Sequence, residues 1–253
     1  MTEQTATFLY GVVPSDIEPT SDARGIGDPP ARVTMVTHGD VGALISEVSL
    51  DRSLGRPEEL RGYQNLLDGT AALAPVLPVR FGTVFTDEDA VAALLAEHHD
   101  DFRAALDELD GRFEFIVRGR YDQAALLTEV LDENPELRQL RDEARQLPEE
   151  VSVGVRTRLG EIVNQAVEAK RNVDTQALAD LLQPVAGQLL IRQPTSETDA
   201  ANIALLVDTE RQDDLEKAVH RVAEDWSGRI NLRLLGPLAP YDFVATLQPP
   251  TEG

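Results

Sequence analysis

Short uninterrupted apolar runs alternate along this chain with stretches in which apolar residues recur every three or four positions. Phe8-Leu9-Tyr10-Gly11-Val12-Val13 is the first such run and predicts a strand, stopped by Pro14. Arg32 to Thr37 and Val41 to Val48 predict a strand pair, with His38-Gly39-Asp40 as the turn between them. A helix is predicted from Pro57, with Glu58 and Glu59 complementing its first turn, to a point before Pro75. Leu77 to Phe85 predicts another strand. Thr86 then stands as an N-cap with Asp87, Glu88 and Asp89 behind it. Val91, Leu94, Leu95, His98, Phe102, Leu106 and Leu109 share one face of the helix that follows, and Gly111 closes it. Phe113 to Val117 makes a further strand that ends near Tyr121. This order predicts a compact α+β domain over residues 1–121, with helices set against one face of a mostly antiparallel sheet.

From Asp122 to Leu182 the period is helical. Leu126, Leu127, Val130 and Leu131 lead to a break at Pro135, and Leu137, Leu140, Ala144 and Leu147 to a break at Pro148. Val151, Val155, Leu159, Ile162, Val163 and Ala166 form a third stripe, and Leu178, Leu181 and Leu182 a short fourth. Strand signals return at Val185 to Arg192 and Ile203 to Val207. A helix bearing Leu215, Val219, Val222 and Trp226 on one face comes next, then a strand from Ile230 to Leu235. Residues 122–253 are expected to form a second domain: a helical segment over 122–183 that joins the two halves, then a ββαβ sheet and a C-terminal tail.

The segment Leu77-Pro78-Val79-Arg80-Phe81-Gly82-Thr83-Val84-Phe85 breaks two rules for a buried strand. Pro78 removes a backbone donor, which points to an edge or a strand start. Arg80 places a permanent charge between Val79 and Phe81, so it must find a partner, reach the surface or carry a desolvation cost. Followed by Thr86-Asp87-Glu88-Asp89 and an amphipathic helix, the segment resembles the central signature of the gas-vesicle GvpF/GvpL family. Gly236-Pro237-Leu238-Ala239-Pro240-Tyr241-Asp242-Phe243 is similar to the Gly-Pro-x-x-Pro-Tyr-x-Phe terminus of the same family. Phe113-Glu114-Phe115-Ile116-Val117 and Ala201-Asn202-Ile203-Ala204-Leu205-Leu206-Val207 fit between the two motifs. The resemblance runs from about Phe8 to Phe243 and is weakest in the loop from Pro14 to Pro30.

The resemblance implies two domains with a ferredoxin-like flavour in each. It also implies a non-enzymatic accessory protein of gas vesicle assembly, located in the cytoplasm and at the gas vesicle. Its implied partner is the small, very hydrophobic gas vesicle shell protein, which it would keep from aggregating and help deliver to a nascent vesicle. Other gas vesicle accessory proteins are implied co-partners. Arginine and aromatic residues anchor interfaces, which makes Arg80, Phe81 and Phe85, with Tyr241 and Phe243 in the tail, the candidate partner-binding residues. Arg80 and the tail have structural alternatives: Arg80 paired with a carboxylate of Asp87, Glu88 or Asp89 or of a neighbouring strand, and the tail aromatics docked on the protein's own core.

Charge narrows the classes further. The 253 residues carry a formal net charge of −22, which argues against nucleic acid and anionic membranes as partners. Lys170 and Lys217 are the only lysines, and acid-rich, lysine-poor surfaces suit a high-salt cytoplasm; a high-GC genome would give the same bias. There is no cysteine, so disulfides and thiolate chemistry are excluded. No signal peptide and no apolar run long enough for a membrane span stands out, so a soluble cytoplasmic protein is expected.

His98-His99 is the one candidate metal cluster, but adjacent helical residues point about 100° apart and do not chelate one ion easily. Gly25-Ile26-Gly27 is followed by Pro29-Pro30 with no helix opening there, which removes the phosphate-loop reading. No Walker motif or nucleophile elbow occurs, and no catalytic residue, metal or cofactor is expected. The alternative function is a small-molecule-sensing regulatory module built on paired ferredoxin-like domains.

Overall fold

The computed structural model describes residues 5–19, 23–146 and 153–244, and their contacts divide the chain into two units. The first comprises residues 1–114 and 236–253, the second 115–235. The chain is α+β, with antiparallel pairing in its sheets.

The first unit is built on β1 (Thr5–Pro14), β2 (Arg24–Gly27), β3 (Pro30–Arg32), β4 (Thr34–His38), β5 (Val41–Ser49), β6 (Leu77–Pro78) and β7 (Val84–Phe85). Its helices are α1 (Pro57–Ala71), α2 (Glu88–Glu97) and α3 (His99–Leu109). The main sheet runs β4-β5-β1-β6, with β7 also paired to β1; β2 and β3 form a separate hairpin inside the proline-rich loop. Every residue from Ala6 to Val13 is buried, so β1 is covered on both faces. On one face Phe8, Tyr10, Leu44 and Val48 pack with Tyr63 and Leu67 of α1. Side-chain alternation turns Leu9 and Ile45 to the opposite face, where α2 and α3 lie against β1 and β5. Helices therefore cover both faces of this sheet, not the one face expected, because an unbroken apolar strand needs partners on each side.

Helix α1 starts where Glu59, itself buried, accepts the amides of Gly55 and Arg56 at 2.9 and 3.0 Å and the Arg52 guanidinium at 2.6 Å. Burial pulls the Glu59 carboxyl upward, but the hydrogen bond from Arg52 and the two amides outweigh it and hold it low. The helix predicted from Thr86 is two helices. Asp87, not Thr86, is the N-cap, accepting from the Ala90 amide at 2.9 Å, and the backbone leaves helical geometry at His98.

The second unit contains β8 (Arg112–Tyr121), β9 (Gln188–Ile191), β10 (Asp199–Asp208) and β11 (Ile230–Leu238), ordered β11-β8-β10-β9. The strand after α3 is thus an inner member of the second sheet, and the chain crosses between units within β8 and again within β11. Its helices are α4 (Gln123–Glu133), α5 (Pro135–Gln146), α6 (Val153–Leu182) and α7 (Gln212–Asp225). Pro135 ends α4 as expected; the break expected at Pro148 lies outside the described residues. From Val155 on, the third stripe and the whole of the fourth belong to one continuous helix, α6, which lies against β10; Val151 lies outside the described residues. Leu126, Val130 and Leu137 pack with Tyr121, Ala200 and Ile230, so the 122–183 segment helps build the core of this unit.

Ion pairs tie these helices together. Arg229 reaches Asp174 at 2.6 Å and Glu129 at 2.8 Å, Lys170 reaches Glu129 and Glu133 at 2.9 Å, and the Tyr121 hydroxyl donates to Asp174 at 2.6 Å. Glu133, Lys170, Asp174 and Arg229 of this cluster line a cleft of about 460 Å³, and each of these charges already has a partner.

Candidate partner-binding site

The Leu77–Phe85 segment is an edge of the first sheet, but not one continuous strand. Leu77 and Pro78 pair with Val12 and Gly11, and Val84 and Phe85 with Phe8 and Thr7. Between the two pairings, residues 79–83 face only Leu9 and Tyr10. Two hydrogen bonds pin the ends of this excess: the Val79 amide to Tyr10 O at 3.0 Å and the Leu9 amide to Thr83 O at 3.1 Å. Arg80, Phe81 and Gly82 are left to form an outward loop. Gly82 takes φ +91°, a region that favours glycine, and Thr83 donates its amide and its hydroxyl to the Arg80 carbonyl.

The loop separates two neighbours with opposite fates. Phe81 turns inward, its ring 5.5 Å from Phe8 and 5.4 Å from Tyr63 in edge-on contacts. Arg80 turns outward, is exposed, and makes no ion pair among the described residues; the expected pairing with Asp87, Glu88 or Asp89 does not form. Val84 is also exposed and Phe85 is half-buried on β7. On their other side β6 and β7 pair with no described strand. Pro78 is compatible with this position because an edge strand need not donate on both sides.

The tail docks onto the same unit. Ala239 is fully buried in the α1-side core and Tyr241 packs against that core, its ring 6.5 Å from Tyr63. Asp68 of α1 accepts the Ala239 amide at 2.9 Å and the Tyr241 hydroxyl at 3.1 Å, and Glu114 accepts the Asp242 amide at 2.8 Å. Burial, then the Asp68 charge and hydrogen bond, push the Tyr241 phenol far up, so it stays a donor. Burial alone does the same to Tyr63, whose hydroxyl donates to the Val79 carbonyl. The structure therefore joins Phe81 and Tyr241 through Tyr63. It does not bring Phe85 or Phe243 into that cluster; Phe243 is half-buried, its amide bonded to Pro240 O at 3.2 Å.

Sequence reasoning missed Tyr63 and Asp68, which organise both motifs. Tyr63 lies on the buried stripe of α1 with Glu59 and Leu67, a pattern that carries no partner information, and Asp68 lies off that stripe with no sequence signal of its own. The two histidines part company. His99 lies 2.7 Å from Asp40 and 3.0 Å from Asp100, whereas His98 sits at the helix break with its ring 5.9 Å from Phe102. Among the described residues no group of three or more His, Cys, Asp or Glu is arranged to hold a metal. No helix among them is long and apolar enough to cross a membrane.

Residues 6–245 match the family model described as gas vesicle synthesis protein GvpL/GvpF. Gas vesicle protein F of Streptomyces sp. (strain CB03234) is 34% identical over 242 residues, covering 94% of this chain and 99% of that one. Gas vesicle protein L of the same strain is 26% identical over 274 residues, covering 96% and 94%. The crystal structure of GvpF from Anabaena sp. PCC7120 superposes with a TM-score of 0.78 at 24% identity, over 96% of this chain and all of that one, a likeness of fold.

Proposed function

Because the chain belongs to the gas vesicle synthesis protein GvpL/GvpF family, we propose that it is a non-enzymatic accessory of gas vesicle assembly that binds the hydrophobic shell protein. In this role it keeps the shell protein from aggregating, assists vesicle nucleation and works with other accessory proteins in the cytoplasm and at the vesicle. The observation that carries the choice of surface is the Leu77–Phe85 edge. It is open on one side, it presents Arg80 without an ion pair among the described residues, and it exposes Val84 beside half-buried Phe85. An open strand edge captures an extended apolar segment through backbone bonds, and an unpaired arginine adds an anchor. Tyr241 serves the site from behind: its ring packs on Tyr63, against which Phe81 is packed.

A pull-down against purified shell protein tests this. Arg80→Ala combined with Val84→Lys is expected to weaken capture at least about tenfold with an unchanged unfolding midpoint. Undiminished capture by that variant would remove this edge from the interface. Phe81→Ala is the fold control, because its ring belongs to the core and its loss should cost about 3 kcal/mol.

A further inference from the structure

The second unit has an edge of its own that no further described strand pairs with, and it carries no charge. Between Asp180 and Arg192 no residue is ionisable, in a chain with a net charge of −22 and 27% charged residues. Proteins usually protect an edge with lysine, proline or an inward charge, and Gln188-Leu189-Leu190-Ile191 has none of these. β9 is last in the strand order, paired on one side with β10. Its apolar side chains are open: Leu190 is 44% exposed and Ile191 47%, and Leu181 at the end of α6 is 53% exposed.

The register tells which backbone groups are free. Leu190 pairs with Ala204, and the Arg192 amide bonds Asn202 O at 2.8 Å. Inward bonding alternates every second residue in an antiparallel ladder, so residues 188, 190 and 192 point their backbone groups at β10. Leu189 and Ile191 point theirs away from it. Leu190 and Ile191 project to opposite faces, ready to meet alternate side chains of an added strand.

We propose that β9 is a second docking edge, which takes up an extended segment of another protein that is apolar in its centre and basic at its ends. Charge selects this occupant. A second copy would bring another −22 to the contact, and an acidic segment would meet the same repulsion, whereas a neutral edge within an acidic field favours apolar contact with cationic flanks. The inference stands on the second unit alone and does not depend on the Leu77–Phe85 edge.

The probe is a labelled peptide of alternating valine and threonine ending in lysine, compared with the same peptide ending in glutamate, at physiological salt. Fluorescence anisotropy should show the lysine-ended peptide binding. Amide hydrogen exchange should slow at Leu189 and Ile191, while Leu190, already bonded inward, changes little. Leu189→Pro removes one outward donor and no ladder bond, and should weaken binding by about tenfold. If that variant unfolds, Ile191→Lys tests the same edge by charge and should weaken the lysine-ended peptide by a similar factor. Binding without protection at Leu189 and Ile191, no binding at all, or equal binding of the glutamate-ended peptide would overturn the proposal. So would protection that rises with protein concentration in the absence of peptide, which would assign the edge to a second copy.

Discussion

Gly25 occupies a position where a Cβ would stand 1.9 Å from the Tyr10 hydroxyl. That hydroxyl bonds Ser46 and accepts the Ile26 amide, each at 2.8 Å, and so ties the β2–β3 hairpin to the main sheet. Gly25→Ala should displace the ring and destabilise the first unit by about 1–3 kcal/mol, lowering the urea midpoint. A midpoint equal to wild type would contradict the close approach. His99 is the residue at which pH should register. Its hydrogen bonds to Asp100 and then Asp40 raise its pKa; Arg103, 3.6 Å from Asp40, and the His38 ring, 5.8 Å away, are the other groups facing it. A folded-state pKa above the unfolded one means that the contribution is complete below about pH 6.5 and fades as pH rises through the folded value. Wild type should therefore lose stability relative to His99→Gln as pH rises above about 6.5, and parallel pH profiles for the two proteins would contradict this.

At the scale of elements, the tail and α1 are coupled through one carboxylate. Asp68→Ala leaves the Ala239 amide and the Tyr241 hydroxyl without their acceptor, and burial makes that loss cost about 1–3 kcal/mol. Faster hydrogen exchange at Ala239 and a lower melting temperature are expected. If the melting temperature falls with no change at Ala239, the coupling does not run through the tail. Other elements were partly legible. The run 8–13, the hairpin 32–48 and the stripe 215–226 are where their patterns place them, because each satisfies its own period locally. The helix after Thr86 divides at His98 although the stripe Val91, Leu95, Phe102, Leu106 continues across the break. Periodicity reports which residues are buried; it does not report a local change in axis.

For the whole molecule, 45 acidic residues against 23 basic ones leave a self-repelling surface. Raising KCl to about 1 M shortens the Debye length to about 3 Å, so the melting temperature should rise well above its value in dilute buffer. A salt-indifferent melting temperature would leave the arginine bias to genome composition. The sequence by itself determined the α+β class, the positions of most strands and helices, and the two motifs that place the chain in its family, because each rests on near-neighbour pattern. Tertiary structure alone decided which sheet each strand joins. Phe113 to Val117 reads equally well in either sheet, since a buried apolar run names no partner, and it lies inside the second. The same holds for the tail, whose Ala239 stands 171 residues beyond Asp68 of α1 yet shares a core with that helix, and for Arg80 and Phe81, adjacent in sequence and sent to solvent and core by one three-residue loop. Long-range pairing fixes these outcomes, and its energy comes from residues far apart along the chain.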